Sequence, residues 1–183
     1  MGFCKNIAVF CGSSVGAKPE YVQAAEQLGA LLGDQGRGLV FGGCLDGLMA
    51  VLARAALAHG APIQSEFVRG LYRESDFLAE ARASFYENVR ERKHGLIAHS
   101  DACVMMPGGM GTLDEFSEVC ASVQLGETVR PIGILNTAGY YDHLLQFLAD
   151  MRAEGFLSPQ WDRLFVTAET PEALLEMLDE ANQ

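Results

Sequence analysis

Ala102-Cys103-Val104-Met105-Met106-Pro107-Gly108-Gly109-Met110-Gly111-Thr112-Leu113-Asp114-Glu115 is the stretch that decides the fold. Ala102–Met106 is an unbroken apolar run, the pattern of a strand buried on both faces. Proline and glycine end it, and Thr112–Val123 resumes with helical spacing. Strand, glycine turn and helix in that order are the unit of a parallel sheet covered by helices. Glycines let the backbone pass close to a ligand, and a helix start presents free N–H groups and a partial positive charge. Gly108, Gly109, Gly111 and Thr112 are therefore candidate phosphate ligands. A plainer reading makes Thr112 and Glu115 a capping box, Thr-x-x-Glu, around an ordinary helix start. The two readings are compatible.

The same unit recurs outward from this stretch. Asn6–Cys11 reads as a strand running into Gly12-Ser13-Ser14, and Pro19–Asp34 as a helix. Gly38–Phe41 is a second strand, ending in Gly42-Gly43-Cys44-Leu45-Asp46-Gly47. Leu48–His59 is an Ala-rich helix, apolar on more than one face, which points to burial or a subunit contact. Pro62 suits only the start or edge of a strand, so Ile63 marks a poor third strand, and Phe67–Tyr86 has no legible pattern. Glu87–His99 reads as a helix, Pro131–Leu135 as a strand, Tyr140–Glu154 as a helix and Leu164–Val166 as a strand. A closing helix starts at Thr170, with Pro171 at its first position. The expected fold is α/β: a Rossmann-like parallel sheet with helices on both faces, in one domain over residues 1–183. Ligands of open parallel sheets sit beyond the strands' C-terminal ends, so the three glycine turns are expected to share one site.

Composition narrows the function. The net charge is −11, which repels a polymer of phosphates, so no nucleic-acid partner is expected. One small phosphate can still be held by backbone N–H groups. No apolar run reaches the ~18 residues of a membrane span, and Met1–Asn6 shows no cleavage pattern. A cytoplasmic chain with a small-molecule substrate and no membrane partner follows. The five cysteines are odd in number and lack a C-x-x-C pair, so they read as reduced thiols. His59, His94, His99 and His143 are too scattered for zinc, and no metal is expected. No cofactor is expected either. Pyridoxal phosphate needs a Schiff-base lysine, and only Lys5, Lys18 and Lys93 are present.

Pro107–Glu115 fits P-G-G-x-G-T-x-x-E, and Glu91-Arg92-Lys93 stands upstream. Together they resemble the LONELY GUY (LOG) family of cytokinin riboside 5′-monophosphate phosphoribohydrolases, often labelled lysine decarboxylases. Val9–Ser14 and Phe41-Gly42-Gly43, with Gly47-Leu48-Met49, extend the resemblance, which runs from Asn6 to Leu135. It implies a homodimer that hydrolyses a nucleotide, a nucleoside 5′-monophosphate, to free base and ribose 5-phosphate. It also implies that Glu115 is the catalytic carboxylate and Arg92 its functional partner, with Gly42, Gly43, Ser13 and Ser14 joining the phosphate turn as ligand-binding residues. By charge pattern alone, Arg90-Glu91-Arg92-Lys93 is a solvated helix face.

The departures from the family pattern open alternatives. Cys44 replaces a third glycine and Ala50 a later one. Cys44 is read as a small core thiol before a nucleophile. Asp46 is placed to cap a helix, or to oppose a phosphate if it faces the ligand. Gln64 and Glu66 stand where the family has a smooth apolar strand, so they are either solvated or part of an altered pocket rim. Lys93, Met106 and Asp114 complete the candidate pocket, and Arg73-Glu74 resembles a further family pair. The added carboxylates Asp46 and Glu66 motivate a second reading, a lyase or cyclising dehydratase acting on a small polar or cationic metabolite without phosphate. A third is a non-catalytic binder resembling the molybdenum-cofactor carriers. Such a carrier needs the phosphate cradle but not the Arg92 and Glu115 pair.

Overall fold

The computed structural model describes residues 2–71, 80–157, 161 and 164–182. Its strands are β1 (Asn6–Phe10), β2 (Gly38–Phe41), β3 (Ile63–Val68), β4 (Arg82–Tyr86), β5 (Ala102–Met105), β6 (Ile132–Leu135) and β7 (Phe165–Ala168). They form one seven-stranded sheet in the order β4-β3-β2-β1-β5-β6-β7, and every neighbouring pair is parallel. The helices are α1 (Pro19–Asp34), α2 (Gly47–Ala58), α3 (Val89–Ala98), α4 (Met110–Gln124), α5 (Asp142–Ala153) and α6 (Pro171–Ala181). This is the expected Rossmann-like α/β fold.

The period of two along each strand sorts the core into two layers. Ile7, Val9, Leu39, Phe41 and Ile63 pack under α1, α2 and α6, together with Leu28, Leu52 and Leu174. Ala8, Phe10, Val40, Cys103 and Met105 face α3, α4 and α5, where they meet Leu96, Phe116 and Leu148. Among the described residues, no helix is long and apolar enough to cross a membrane.

Three expectations need correction. The third strand is a full six residues, because Pro62 stands just before it and gives its carbonyl to Leu39 N at 2.9 Å. β4, at the sheet edge, carries an exposed Arg82-Ala83 start followed by Ser84, so no apolar run marks it in the sequence. α4 begins at Met110 with Gly109 at its N-cap and no side-chain cap, so Thr112 and Glu115 are not a capping box. Thr112 lies inside the first turn, buried against Gly108. The second apolar face of α2 is also accounted for. α1 lies so close at Gly29 that a Cβ there would be 2.5 Å from the Leu52 carbonyl oxygen.

Candidate active site

The strand order reverses between β1 and β5, so α1 and α4 leave the sheet toward opposite faces and open a crevice at the strands' C-terminal ends. The loops meet there through backbone bonds. Gly12 N donates to Pro107 O at 3.0 Å, and Leu48 N donates to Gly12 O at 3.0 Å. The approach is tight: a Cβ on Gly108 would lie 2.2 Å from Thr112 Oγ1 and 2.9 Å from Gly12 N. The three glycine turns therefore do converge.

Gly109 and Gly111 differ in kind from Gly108. A Cβ on either would meet nothing within 4 Å, and neither has a positive φ. Leu113 N is the first to bond back along α4, to Gly109 O at 3.2 Å. The N–H groups of Met110, Gly111 and Thr112 thus point out of the helix start beside open space. A cavity of about 160 Å³ adjoins them, lined by Ser14, Tyr21, Leu48, Gly108, Gly109 and Tyr140. Ser13 is exposed on the same loop as Ser14.

Glu115 follows one turn further along α4. Arg92 Nη2, from α3, donates to its Oε1 at 2.6 Å, and both side chains are only 13% exposed. Arg92 reaches this position because Gly42 has no side chain: a Cβ there would lie 2.7 Å from Nη1. Gly43 backs onto the Phe67 ring. Burial raises the Glu115 carboxyl above its ordinary range, while Arg92 pulls it back down. Arg92 Nε is buried and finds no partner among the described residues. The Cys11 thiol is pushed up by burial first, then by Glu115 and Cys44, so it stays protonated. Lys93 bonds Asp114 Oδ2 at 2.9 Å and also Glu118. Burial works against its charge, and these two carboxylates outweigh that effect.

Several expected pocket residues lie elsewhere. Glu66 is fully buried, and its Oε1 bonds His99 Nδ1 at 2.7 Å, so it is neither solvated nor at the rim. Gln64 donates to Ser84 Oγ at 2.9 Å and lines a hollow of about 470 Å³ with Lys5, Asn6, Arg82 and His99. That hollow is at the strands' N-terminal ends, so its larger size does not mark the crevice. The Met106 side chain belongs to the core. Cys44 is not a core thiol: it is half-buried, with Sγ 3.7 Å from Asp46 Oδ2. Asp46 occupies the N-cap position of α2 without capping it, and it is exposed. Asp114 is exposed and holds Lys93. Arg73-Glu74 lies outside the described residues. Sequence reading missed Tyr140 and Tyr141, whose hydroxyls reach Gly108 O and Met106 O, both at 2.7 Å. The signal was available, since Asn136–Tyr141 also follows the C-terminal end of a strand.

A doubly wound α/β protein with its crevice at the switch point of the sheet is the class these features define. The chain belongs to the family described as "Possible lysine decarboxylase", whose sequence model matches residues 49–178. It is 41% identical to the "Probable cytokinin riboside 5'-monophosphate phosphoribohydrolase" LOGL5 of Oryza sativa subsp. japonica, over 96% of this chain and 72% of that one. A cytokinin riboside 5′-monophosphate phosphoribohydrolase of Arabidopsis thaliana, LOG7, is 38% identical over 96% of this chain and 82% of its own. Among solved structures, the molybdenum cofactor carrier protein of Chlamydomonas reinhardtii superposes with a TM-score of 0.70 at 18% identity, covering 96% of each chain. The molybdenum cofactor binding protein of Rippkaea orientalis also gives 0.70 at 18%, over 97% of each chain. At such identity these two likenesses concern the fold alone.

Proposed function

We propose that this chain hydrolyses the N-glycosidic bond of a nucleoside 5′-monophosphate, releasing the free base and ribose 5-phosphate. One observation carries the reading: a buried carboxylate, Glu115, stands one turn beyond a helix start whose N–H groups face open space, and Arg92 bonds it at 2.6 Å. The α4 start and Ser14 hold the phosphate. The helix rise of about 1.5 Å per residue then sets Glu115 roughly a ribose length further on. As the base departs with the electron pair of the C–N bond, positive charge builds on the ribosyl ring. The Glu115 carboxylate stabilises that charge and orients the water whose oxygen bonds the anomeric carbon, and the proton that this water loses ends on the departing base. Arg92 keeps this buried carboxylate ionised and aimed. The relatives' phosphoribohydrolase names support the same reaction.

An enzyme acting without phosphate, and the decarboxylase that the family's description names, both have less support. The non-phosphate reading leaned on Asp46 and Glu66: Glu66 is buried and bonds His99, while Asp46 is exposed beside Cys44. A pyridoxal phosphate decarboxylase lacks a suitable amine. Lys93 is held charged between two carboxylates, Lys18 Nζ bonds Ala138 O at 3.2 Å, and Lys5 lies by the hollow at the opposite strand ends. The test is a panel of nucleoside 5′-monophosphates incubated with pure protein. Release of base and ribose 5-phosphate from at least one is expected, and none from any would end this reading. We also propose that the chain acts in the cytoplasm as a homodimer. Support for the dimer is exposed apolar side chains at the two ends of α4, Met110 at 79% and the C-cap Leu125 at 73%. Light scattering is expected to give twice the chain mass, and a monomer at micromolar concentration would refute it.

A further inference from the structure

The phosphate turn is held from behind by residues that no motif marks. Three successive carbonyls in it each accept a hydrogen bond from a different partner. Tyr141 Oη donates to Met106 O at 2.7 Å, Gly12 N to Pro107 O at 3.0 Å, and Tyr140 Oη to Gly108 O at 2.7 Å. In a trans peptide the carbonyl and the following N–H point opposite ways. Fixing Pro107 O and Gly108 O therefore fixes the directions of Gly108 N–H and Gly109 N–H, away from the groups that bind the carbonyls.

The last of these bonds guards the weakest joint. Turning over the Gly108–Gly109 peptide changes only ψ of Gly108 and φ of Gly109. Glycine takes either sign of φ with nearly equal ease. Gly109 sits at φ −97° with no atom near its would-be Cβ, so no packed neighbour on that side holds Gly109 to its present φ. A flipped peptide would present the Gly108 carbonyl oxygen to an anion in place of the Gly109 N–H. Tyr140 is itself held firmly. Its ring meets Tyr21 and Tyr141 edge-on, with centroids 5.5 Å and 4.8 Å away. Asn136 braces the chain beside it, accepting from Tyr141 N at 2.7 Å and donating to Asp142 Oδ1 at 2.7 Å. Unlike the buried Tyr141, Tyr140 is 42% exposed and lines the cavity beside the turn.

We propose that Tyr140 is a positioning residue for phosphate recognition: its hydroxyl locks the Gly108–Gly109 peptide in the orientation that offers the Gly109 N–H to the substrate's phosphate. This deepens the phosphoribohydrolase reading and rests on it for the substrate, though the lock itself can be tested with inorganic phosphate. Tyr140→Phe removes one oxygen and keeps the ring contacts. Three measurements decide: calorimetry with inorganic phosphate and with ribose 5-phosphate, steady-state kinetics on a nucleoside 5′-monophosphate, and thermal unfolding. The Kd values and the nucleotide KM are expected to rise about five- to tenfold, the factor of one lost hydrogen bond. The kcat is expected to stay at wild-type level, and the Tm to fall by no more than about 4 °C. Unchanged Kd values, or a fall in kcat with KM unmoved, would overturn the lock. If the wild type binds phosphate but hydrolyses no nucleotide, the proposed reaction fails while the Kd comparison still judges Tyr140. If the wild type binds neither phosphate nor ribose 5-phosphate at millimolar concentration, both ideas fall.

Discussion

Two arginine–carboxylate pairs sit at opposite ends of the sheet and differ in how completely their groups are matched. At the N-terminal ends of the strands, Arg37 grips Asp179 with two bonds, Nη1 to Oδ1 at 2.9 Å and Nη2 to Oδ2 at 2.6 Å. Its Nε donates to Gln35 Oε1 at 2.7 Å, its Nη1 also donates to Cys4 O at 2.7 Å, and Phe3 lies across its face. At the C-terminal ends, Arg92 gives Glu115 one bond and leaves a buried Nε without a partner among the described residues. The carboxyls respond in opposite directions. The Arg37 bonds hold Asp179 below its usual range, whereas burial carries Glu115 above it. A pair with its donors matched ties the start of β2 to α6 and contributes to stability. A buried pair left partly unmatched keeps bonding capacity and charge for a ligand, an arrangement that marks functional sites.

The comparison breaks first at Glu115. Glu115→Gln keeps the shape and can still accept the Arg92 bond, but it loses the charge that steadies a ribosyl cation. The expected loss in kcat is on the order of 10²-fold or more, with an unchanged or higher Tm. In the wild type, activity is expected to fall with acid as Glu115 protonates, and to begin falling at a higher pH than an ordinary carboxylate would give. Near-normal turnover by Glu115→Gln would make the pair a structural one like that of Arg37.

Asp179→Ala should act the other way. Removing one partner leaves Arg37 buried and uncompensated, at a cost of about 3 kcal/mol at neutral pH, while KM and kcat stay unchanged. The Asp179 pKa is lowered on folding, so its contribution is present above the unfolded-state value and lost as pH falls through the folded-state value. Denaturant titrations of wild type and variant should therefore converge in acid. A constant difference across pH would mean that lost packing, rather than the charge pair, explains the effect.

Much of this contrast was open to sequence reading on one side and closed on the other. Helix α1 over Pro19–Asp34 and strand β2 over Gly38–Phe41 match their periodic patterns. The meeting of the glycine turns followed from strand–turn–helix logic. Arg92 read as part of a solvated charge run by pattern alone, because nothing local says that Gly42, fifty residues away, leaves room for a guanidinium. Thr112 read as a cap because the box pattern records spacing and not where the helix starts. Tyr140 was marked only by its place after a strand's C-terminal end, since nothing local pairs it with Gly108, 32 residues distant.

What the sequence determined by itself was whatever depends on neighbours along the chain: apolar runs, helical periods, the breaks made by proline and glycine, and the chemistry available in Pro107–Glu115. Tertiary structure alone decided which charges are matched and which are left short. The same residue type serves stability at Arg37 and the crevice at Arg92. The reason is physical: bonding, burial and the resulting pKa depend on which groups packing brings within about 3 Å, and those come from distant parts of the chain.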